Sequence, residues 1–432
     1  MQIHVVQPGQ SLWGIAQAYN STTQNIIEAN QIEDPERLVV GQALVIPIYG
    51  SFYWVQQGDT LYAISQRFGL SVETLAQVNG INVNTPLYVG MRLYVPPMQK
   101  RDAEVNIYIE PTGESISEEL LTEARNVVPY LTYLAPFSFE ARRDGSLDPI
   151  PTEGLPEIAE AGNASLMMVV SNLENGQFSG ELGRAILQST AVQEVLLENI
   201  VDEARRIGRV TDIHFDFEFL PADQREAYNN FLRRAADYLH GEGFLISTAL
   251  APKTSAEQAG QWYEAHDYRA HGEIVDFVVL MTYEWGYSGG PPMAVSPINE
   301  VERVINYALT EMPANKIMMG QNLYGYDWTL PFVEGGEYAR AVSPQRAVEL
   351  ARDYNVTIQF DYTAQAPHFN YVDEEGNAHK VWFEDARSIQ AKFNLMKRLN
   401  LRGISYWKLD FAFPQNWLLI EENFNVVKRQ TE

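Results

Sequence analysis

Two carboxylates stand two residues apart in the segment Thr-Asp-Ile-His-Phe-Asp-Phe-Glu-Phe-Leu, residues 211–220. Alternate side chains of a β-strand point to the same face, so Asp216 and Glu218 are predicted to share a face with His214. A pair of carboxyl groups can supply acid and base chemistry when the surroundings keep one of them protonated. The opposite face is apolar and consists of Ile213, Phe215, Phe217 and Phe219.

The elements around this segment decide whether its polar face meets water or a cleft. An ordinary amphipathic strand would expose the two carboxylates to solvent, whereas a (β/α)8 barrel turns them inward and carries out catalysis at the carboxyl ends of its strands. After residue 100 the chain alternates predicted strands with long helical runs, such as 180–207 and 223–240. The eight candidate strands are 105–109, 130–135, 165–171, 212–219, 244–251, 274–283, 316–324 and 403–409.

This alternation predicts an α/β fold, a parallel TIM barrel over residues 103–432. Surplus length lies between the seventh and eighth strands, at about 340–385. A hairpin pattern there, turned at 374–377, predicts a small α+β insertion that walls one side of a cleft.

The first hundred residues contain an internal repeat, because residues 4–47 align without a gap on residues 53–96. Each unit is predicted to be a βααβ module, with its first helix capped by Ser11 or Thr60. We place the two module boundaries at residues 2–48 and 52–97.

These repeats resemble LysM domains. Both copies have Gly-Gln/Asp-Ser/Thr-Leu after the first strand, an Asn near the end of the second helix and a closing Val-Gly-Gln/Met-x-Leu-x-Val/Ile-Pro. The resemblance implies binding of glycans that contain N-acetylglucosamine, in peptidoglycan or chitin; a purely structural pair of modules is the alternative. The family positions of the glycan contacts correspond to Gly9, Gln10, Ser11, Leu12, Asn30, Gln31 and Ile32 in the first copy and to Gly58, Asp59, Thr60, Leu61, Asn79, Gly80 and Ile81 in the second.

Aromatic and polar residues follow the predicted barrel strands, in Met-Thr-Tyr-Glu-Trp at 281–285 and Tyr-Trp-Lys-Leu-Asp at 406–410. With the strand-four carboxylates, this pattern resembles glycoside hydrolase family 18, which has Asp-x-x-Asp-x-Asp-x-Glu on strand four, Met-x-Tyr on strand six and a Trp on strand eight. The corresponding residues here are Asp216, Glu218, Tyr283 and Trp407.

The first two aspartates of the family pattern are missing, because those positions hold Thr211 and His214. Asp212 lies one residue from the first of them. By parity we expect it on the opposite face of the strand, and it is not counted as a substitute. The pH dependence of a family 18 enzyme with His214 is left open by this pattern.

The resemblance implies a retaining, substrate-assisted mechanism with Glu218 as proton donor. Asp216 would orient the substrate's 2-acetamido group, Tyr283 would hydrogen-bond its carbonyl oxygen, and Trp407 would form the floor under the sugar. Further candidate substrate contacts are His214, Lys253, Trp285, Asn322, Tyr324, Tyr326 and Asp410.

Two LysM-like modules ahead of such a barrel, together with the phrase Leu-Met-Thr-Tyr-Glu-Trp-Gly-Tyr-Ser-Gly-Gly-Pro-Pro, resemble the spore cortex-lytic N-acetylglucosaminidases of this family. The resemblance implies peptidoglycan of the spore cortex as substrate and partner, and a location in the spore. Two alternatives stay open: a chitinase with LysM anchors, and a glycan-binding wall protein that does not cut. An intact Glu218 argues against the second.

The composition of the chain excludes several kinds of partner and cofactor. The 432 residues carry 31 basic and 56 acidic side chains, a net charge of −25, which argues against nucleic acid or an anionic membrane as partner. There is no cysteine, and the histidines lack metal-ligand spacing, so no cofactor or metal is expected. The first residues do not have the pattern of a signal peptide, and we expect a monomer.

Overall fold

The computed structural model describes residues 1–97 and 99–429. Its centre is a closed barrel of eight parallel strands, in which the fourth strand pairs with the third and the fifth, and the eighth pairs with the first. The predicted TIM barrel is therefore confirmed. In order, barrel strands 1 to 8 are Arg101–Ile109, Tyr133–Pro136, Ser165–Ser171, Val210–Asp216, Leu245–Leu250, Phe277–Leu280, Ile317–Asn322 and Gly403–Trp407.

Helices cover the outside of the barrel, and their apolar faces pack on the outward side chains of the strands. The predicted run 180–207 is two helices, because Ser189 accepts a hydrogen bond from the Val192 N–H and caps a new helix there. The helices of this domain are Glu118–Val127, Leu155–Ala161, Gly180–Leu187, Thr190–Ile207, Arg225–Gly241, Tyr268–Ile274, Ile298–Glu311, Pro344–Asp353, Ala386–Leu399 and Pro414–Asn423.

Strand 4 is shorter than predicted, since it ends at Asp216. Ile213 and Phe215 are buried on its outer face as expected, and Phe217, which follows the strand, is also buried. Phe219, however, is 39% exposed and has a positive φ of 53°. The chain has left the strand by then. The alternation that predicts a buried Phe219 therefore fails, and the position of Glu218 needs another cause.

The insertion between strands 7 and 8 is a five-stranded antiparallel sheet with one helix, Pro344–Asp353, and its own apolar core. It begins earlier than the predicted 340, because Gly325–Leu330 is one of its strands. The other four strands are Arg340–Val342, Gln359–Asp361, Ala366–Val372 and Ala378–Trp382.

Each N-terminal module is a two-stranded antiparallel sheet with two helices, and Ser11 and Thr60 cap the first helices as predicted. The first module consists of Gln2–Val5, Leu12–Ala18, Thr23–Asn30 and Ala43–Ile46; the second consists of Ser51–Trp54, Leu61–Arg67, Val72–Val78 and Arg92–Val95.

The first module is packed on the barrel domain. Ala43 and Val45 are buried in the main core, and Val39 is buried in the core of the insertion. The second module reaches the rest of the chain through the first: Gln2 exchanges two hydrogen bonds with the backbone of Phe52, and Arg92 donates to the Ala18 carbonyl. Within the described residues, we find no helix with the length and apolarity that a membrane crossing requires.

Candidate active site

Asp216 and Glu218 lie side by side at the carboxyl end of strand 4, with 6% and 7% of their surfaces exposed. Asn172, which follows strand 3, fixes the backbone of Glu218: its Oδ1 accepts from the Glu218 N–H at 2.8 Å and its Nδ2 donates to the Glu218 carbonyl at 2.9 Å. The indole N–H of Trp262 donates to the Glu218 carboxyl group. Glu218 therefore owes its place to two neighbouring loops.

Burial gives the two carboxyl groups an unusual electrostatic state. Desolvation raises the pKa of Asp216, and it raises the pKa of Glu218 well above its ordinary value, with a further increase from the Asp216 charge. The hydrogen bond from Trp262 acts in the opposite direction on Glu218. Oδ1 of Asp216 has no hydrogen-bond partner among the described residues. These shifts favour the protonated form of Glu218, and Asp216 has an acceptor free for a ligand.

Tyr283 and Trp407 complete one aromatic cluster beside the carboxyl pair. Tyr283 follows strand 6 and is 9% exposed; burial and then its neighbours Tyr108, Asp216 and Glu218 raise the pKa of its hydroxyl, which therefore stays a donor. Trp407 ends strand 8, and its ring lies edge-on to Phe137 with centroids 4.8 Å apart. Together the four residues form an acid, a free acceptor, a phenol donor and an apolar floor.

Four buried side chains link the interior of the barrel to this site. The Ser247 hydroxyl donates to Asp212 Oδ1 at 2.6 Å and lies 2.7 Å from His214 Nδ1, while His214 Nε2 lies 3.0 Å from the Tyr108 hydroxyl. Burial lowers the pKa of His214 to about 3, so its ring is neutral. With Ser247 donating to Asp212, Nδ1 carries the proton and Nε2 accepts from Tyr108.

The expectation that Asp212 is no substitute for the missing aspartates is wrong in its geometry. Asp212 is two residues from His214 and so shares its face, whereas Thr211 occupies an irregularity in the pairing of strands 3 and 4. Asp212 is fully buried, and desolvation raises its pKa to about 7. One buried carboxyl group is therefore still connected to His214 through Ser247.

Comparisons with known proteins show which family the chain belongs to. The model of the glycosyl hydrolases family 18 matches residues 162–412, and the LysM domain model matches residues 4–47 and 53–96. The chain belongs to glycosyl hydrolase family 18. It is a glycoside hydrolase with two LysM domains.

Close relatives of this family 18 enzyme span its whole length. The chain is 66% identical to the cortical fragment-lytic enzyme of Bacillus subtilis (strain 168), with 99% of each chain covered. It is 54% identical to the cortical fragment-lytic enzyme of Bacillus anthracis, with 99% of this chain and 100% of the relative covered. Among solved structures, the spore cortex-lytic enzyme SleL of Bacillus megaterium QM B1551 superposes with a TM-score of 0.92 at 52% identity, covering 99% of each chain.

Several other predicted substrate contacts gather at one carboxylate that sequence reasoning did not assign. Tyr324 and Tyr326 donate to Oε1 of Glu284 at 2.5 and 3.1 Å. Burial raises the pKa of Glu284, and the two phenol hydrogen bonds lower it. Trp285 and Glu284 line a cavity of about 300 Å³ together with Tyr283 and Trp262. These residues remain candidates for contact with sugar hydroxyl groups.

Three predicted contacts have side chains enclosed by the fold. Lys253 is 1% exposed and donates to the His266 carbonyl at 3.1 Å. Asn322 is fully buried, since it accepts from Ser296 at 2.6 Å and donates to the Tyr324 carbonyl at 2.6 Å. His214 belongs to the buried network. By contrast Asp410 is exposed, and its carboxyl group lies 3.3 Å from the Lys408 ammonium group.

Trp262 and Asn172 contact the proposed acid, and the sequence pattern assigned neither of them. Trp262 contacts the proposed acid from the long loop after strand 5, and its ring stacks on Phe219 at 6.1 Å and 11°. The sequence does contain a signal for Trp262, because a tryptophan in a loop after a barrel strand lies at the end of the barrel where substrates bind. Asn172 follows a buried strand directly, yet nothing in its type or spacing indicates that it holds the next strand's backbone.

In the LysM modules, Asn30 and Asn79 have the same internal role. Each donates to two backbone carbonyl groups at 2.8 Å, and each accepts from the backbone N–H of Val45 or Tyr94 in the last strand. Their side chains therefore hold the module together. Gly9, Gln10, Ser11 and Gln31 are exposed, as are Gly58, Thr60 and Gly80; Leu12 and Leu61 are buried, and Ile32, Asp59 and Ile81 are partly exposed. The described residues include no group of three or more His, Asp or Glu arranged for a metal ion.

Proposed function

We propose that this enzyme hydrolyses the bond after N-acetylglucosamine in peptidoglycan of the spore cortex, or in its fragments, during germination. The observation that carries the proposal is the buried Asp216–Glu218 pair beside the aromatic cluster that contains Tyr283 and Trp407. The substrate follows from the close relatives, which are named cortical fragment-lytic and spore cortex-lytic enzymes. The proposal places the protein in the spore and makes cortex glycan its partner.

In the first step the protonated Glu218 carboxyl group donates its proton to the glycosidic oxygen. As that C–O bond breaks, the carbonyl oxygen of the substrate's own acetamido group attacks the anomeric carbon, and an oxazolinium ion forms. Asp216 accepts from the acetamido N–H through its free oxygen, which stabilises the positive charge. Tyr283 donates to the acetamido oxygen and sets its direction of attack.

In the second step Glu218, now a carboxylate, takes a proton from water. The water oxygen attacks the anomeric carbon, the bond to the acetamido oxygen breaks, and the acetamido group is restored. Two displacements at the same carbon return the original configuration, so the product retains it. Trp407 provides an apolar surface under the sugar in both steps.

The buried network stands where the family has its first two aspartates. Neutral His214 adds no charge beside Asp216, and Tyr108 connects it to the site: burial, then the Asp216 charge, raise the pKa of the Tyr108 hydroxyl. We propose that Asp212, Ser247, His214 and Tyr108 form a hydrogen-bonded chain for proton transfer. When Ser247 passes its proton to Asp212, the His214 Nδ1 proton moves to Ser247, the Tyr108 proton moves to His214 Nε2, and Tyr108 takes a proton from the site.

The deciding experiment compares wild type with Glu218→Gln on cortex fragments, with mass spectrometry of the products. We expect new reducing ends at N-acetylglucosamine from wild type, and turnover lower by about 10³-fold in the variant, because the amide cannot donate the proton. Exposed Glu194→Gln, on the helix Thr190–Ile207, is the matched control. Unchanged turnover in Glu218→Gln removes the assignment, and preferential cleavage of chitin oligosaccharides by wild type replaces cortex with chitin as the substrate.

A further inference from the structure

A groove of about 670 Å³ lies where the first LysM module meets the barrel, away from the catalytic carboxylates. The module contributes Asn25, Glu28 and Gln31, from its second helix and the residue after it. The facing wall belongs to the barrel domain and contains Glu123, Asn126, Tyr130, Phe411, Ala412 and Trp417.

Direct hydrogen bonds hold the two walls of the groove together. Gln415 donates to Asn30 Oδ1 at 2.6 Å and to the Ala43 carbonyl at 2.9 Å. Arg387 donates to the Gly41 carbonyl at 3.0 Å. With the buried packing of the module on the barrel, these contacts make the groove a preformed feature, so a ligand would bind without first ordering it.

The barrel wall presents aromatic faces. The rings of Tyr130 and Trp417 are stacked with centroids 6.2 Å apart at 22°, and Tyr406 supports Trp417 from behind at 5.5 Å. Tyr130 and Trp417 are both partly exposed. Flat aromatic surfaces bind the apolar faces of sugar rings, as they bind other amphipathic groups.

The polar residues around these rings suit a neutral ligand. Asn25, Gln31 and Asn126 are exposed amides, which can donate to and accept from hydroxyl and acetamido groups. Glu28 and Glu123 add carboxylates, and burial, then Asp410 and Glu119, raise the pKa of Glu123. Because the charges of Asp410 and Glu119 already disfavour ionisation of Glu123, the groove disfavours an anionic ligand.

One residue that lines the groove, Phe411, also contacts a residue near the active site. The ring of Phe411 lines the groove and packs on the ring of Tyr324, with centroids 5.4 Å apart. The Tyr324 hydroxyl donates to Glu284, the residue after Tyr283. Leu409, another lining residue, lies two positions after Trp407. Phe411 therefore lies between the groove and the residues around Glu284.

We propose that this groove is a second glycan-binding site, formed jointly by the first LysM module and the barrel, which takes a neutral stretch of N-acetylhexosamine residues from the polymer being cut. It rests on the proposed function for the polymer's identity. Binding at the groove raises the effective concentration of the same chain at the active site, so it favours long substrates over short ones.

The test fills the groove from an exposed position. In Ala412→Trp the new indole occupies the space beside Phe411, and Asn126→Arg fills it from the other side; Ala191→Trp, exposed on the helix Thr190–Ile207, is the control. The measured quantity is kcat/KM on long cortex fragments divided by kcat/KM on a single short fragment. We expect this ratio to fall about tenfold in both groove variants and to stay at the wild-type value in the control.

An unchanged ratio in both groove variants overturns the proposal, as does a concentration-dependent dimer in sedimentation that the groove variants abolish, since a second copy would then be the occupant. The result is separable from the proposed function. If wild type cuts chitin oligosaccharides and leaves cortex intact, the substrate assignment fails while the same ratio, measured on long and short chitin oligosaccharides, still decides the groove.

Discussion

The proton on Glu218 is set by opposing contacts at the scale of single residues. Burial and Asp216 raise the pKa of this carboxyl group, whereas the indole N–H of Trp262 stabilises its ionised form and lowers it. Trp262→Phe removes that donor and keeps an aromatic ring beside Phe219. The pKa of Glu218 should then rise, and the alkaline limb of kcat/KM should move to higher pH, because the acid form persists further. A limb that stays in place or moves to lower pH would contradict this account.

Asp212 gives a stability prediction whose sign follows from its burial. Its pKa in the folded state is about 7, above the ordinary 3.8. The free-energy cost of burying the ionised carboxyl group is therefore absent below pH 3.8 and develops as the pH rises from 3.8 through 7, so stability is lost over that range. The full penalty is about 4 kcal/mol. Asp212→Asn keeps an acceptor for Ser247 and removes this term. Urea unfolding should show the variant gaining stability relative to wild type between pH 4 and pH 8; a constant difference would contradict it.

At the scale of elements, strand 4 shows how far the pattern of alternation reaches. It correctly predicts the strand, the outward Ile213 and Phe215, and the inward Asp216, because these depend on local periodicity. It also predicts that Glu218 lies near Asp216, which is correct. Alternation is not the cause, however, because the strand ends before Glu218 and the side chain of Asn172, from another loop, holds the Glu218 backbone. Such contacts depend on the packing of segments far apart in sequence. A single sequence does not contain them.

Asn172→Ala tests this clamp. Removing both hydrogen bonds frees the Glu218 backbone, and a displacement of about 1 Å should lower kcat by about 10²-fold. The pKa of Glu218 should also change, which would shift the alkaline limb of the pH profile. Loss of stability alone would not shift that limb. Exposed Asn230→Ala is the control. A folded Asn172→Ala enzyme with normal kcat and pH profile would show that the clamp is dispensable.

At the scale of the whole molecule, two equivalent glycines distinguish a docked module from a peripheral one. Gly41 has φ +86° and Gly90 has φ +84°, in the same turn of each LysM module. A Cβ on Gly41 would lie 1.9 Å from the Ile358 carbonyl oxygen of the insertion, while nothing lies within 4 Å of one on Gly90.

Gly41→Ala should therefore separate the first module from the insertion, whereas Gly90→Ala carries only the cost of about 1 kcal/mol for alanine at positive φ. Calorimetry should show a lower and broadened transition for Gly41→Ala, with faster proteolysis between the module and the barrel. Equal melting curves for the two variants would mean that the interface yields without loss.

The side chains of Val39, Ala43 and Val45 end inside the cores of the catalytic domain. A shortened enzyme that starts after the first repeat would expose the apolar surface that these side chains cover, and it would aggregate more readily. In an experiment that deletes the first repeat, the resulting loss of solubility could then be mistaken for a loss of affinity for the glycan. The second repeat, joined to the rest mainly through the first, is the one that can be removed to measure anchoring by itself.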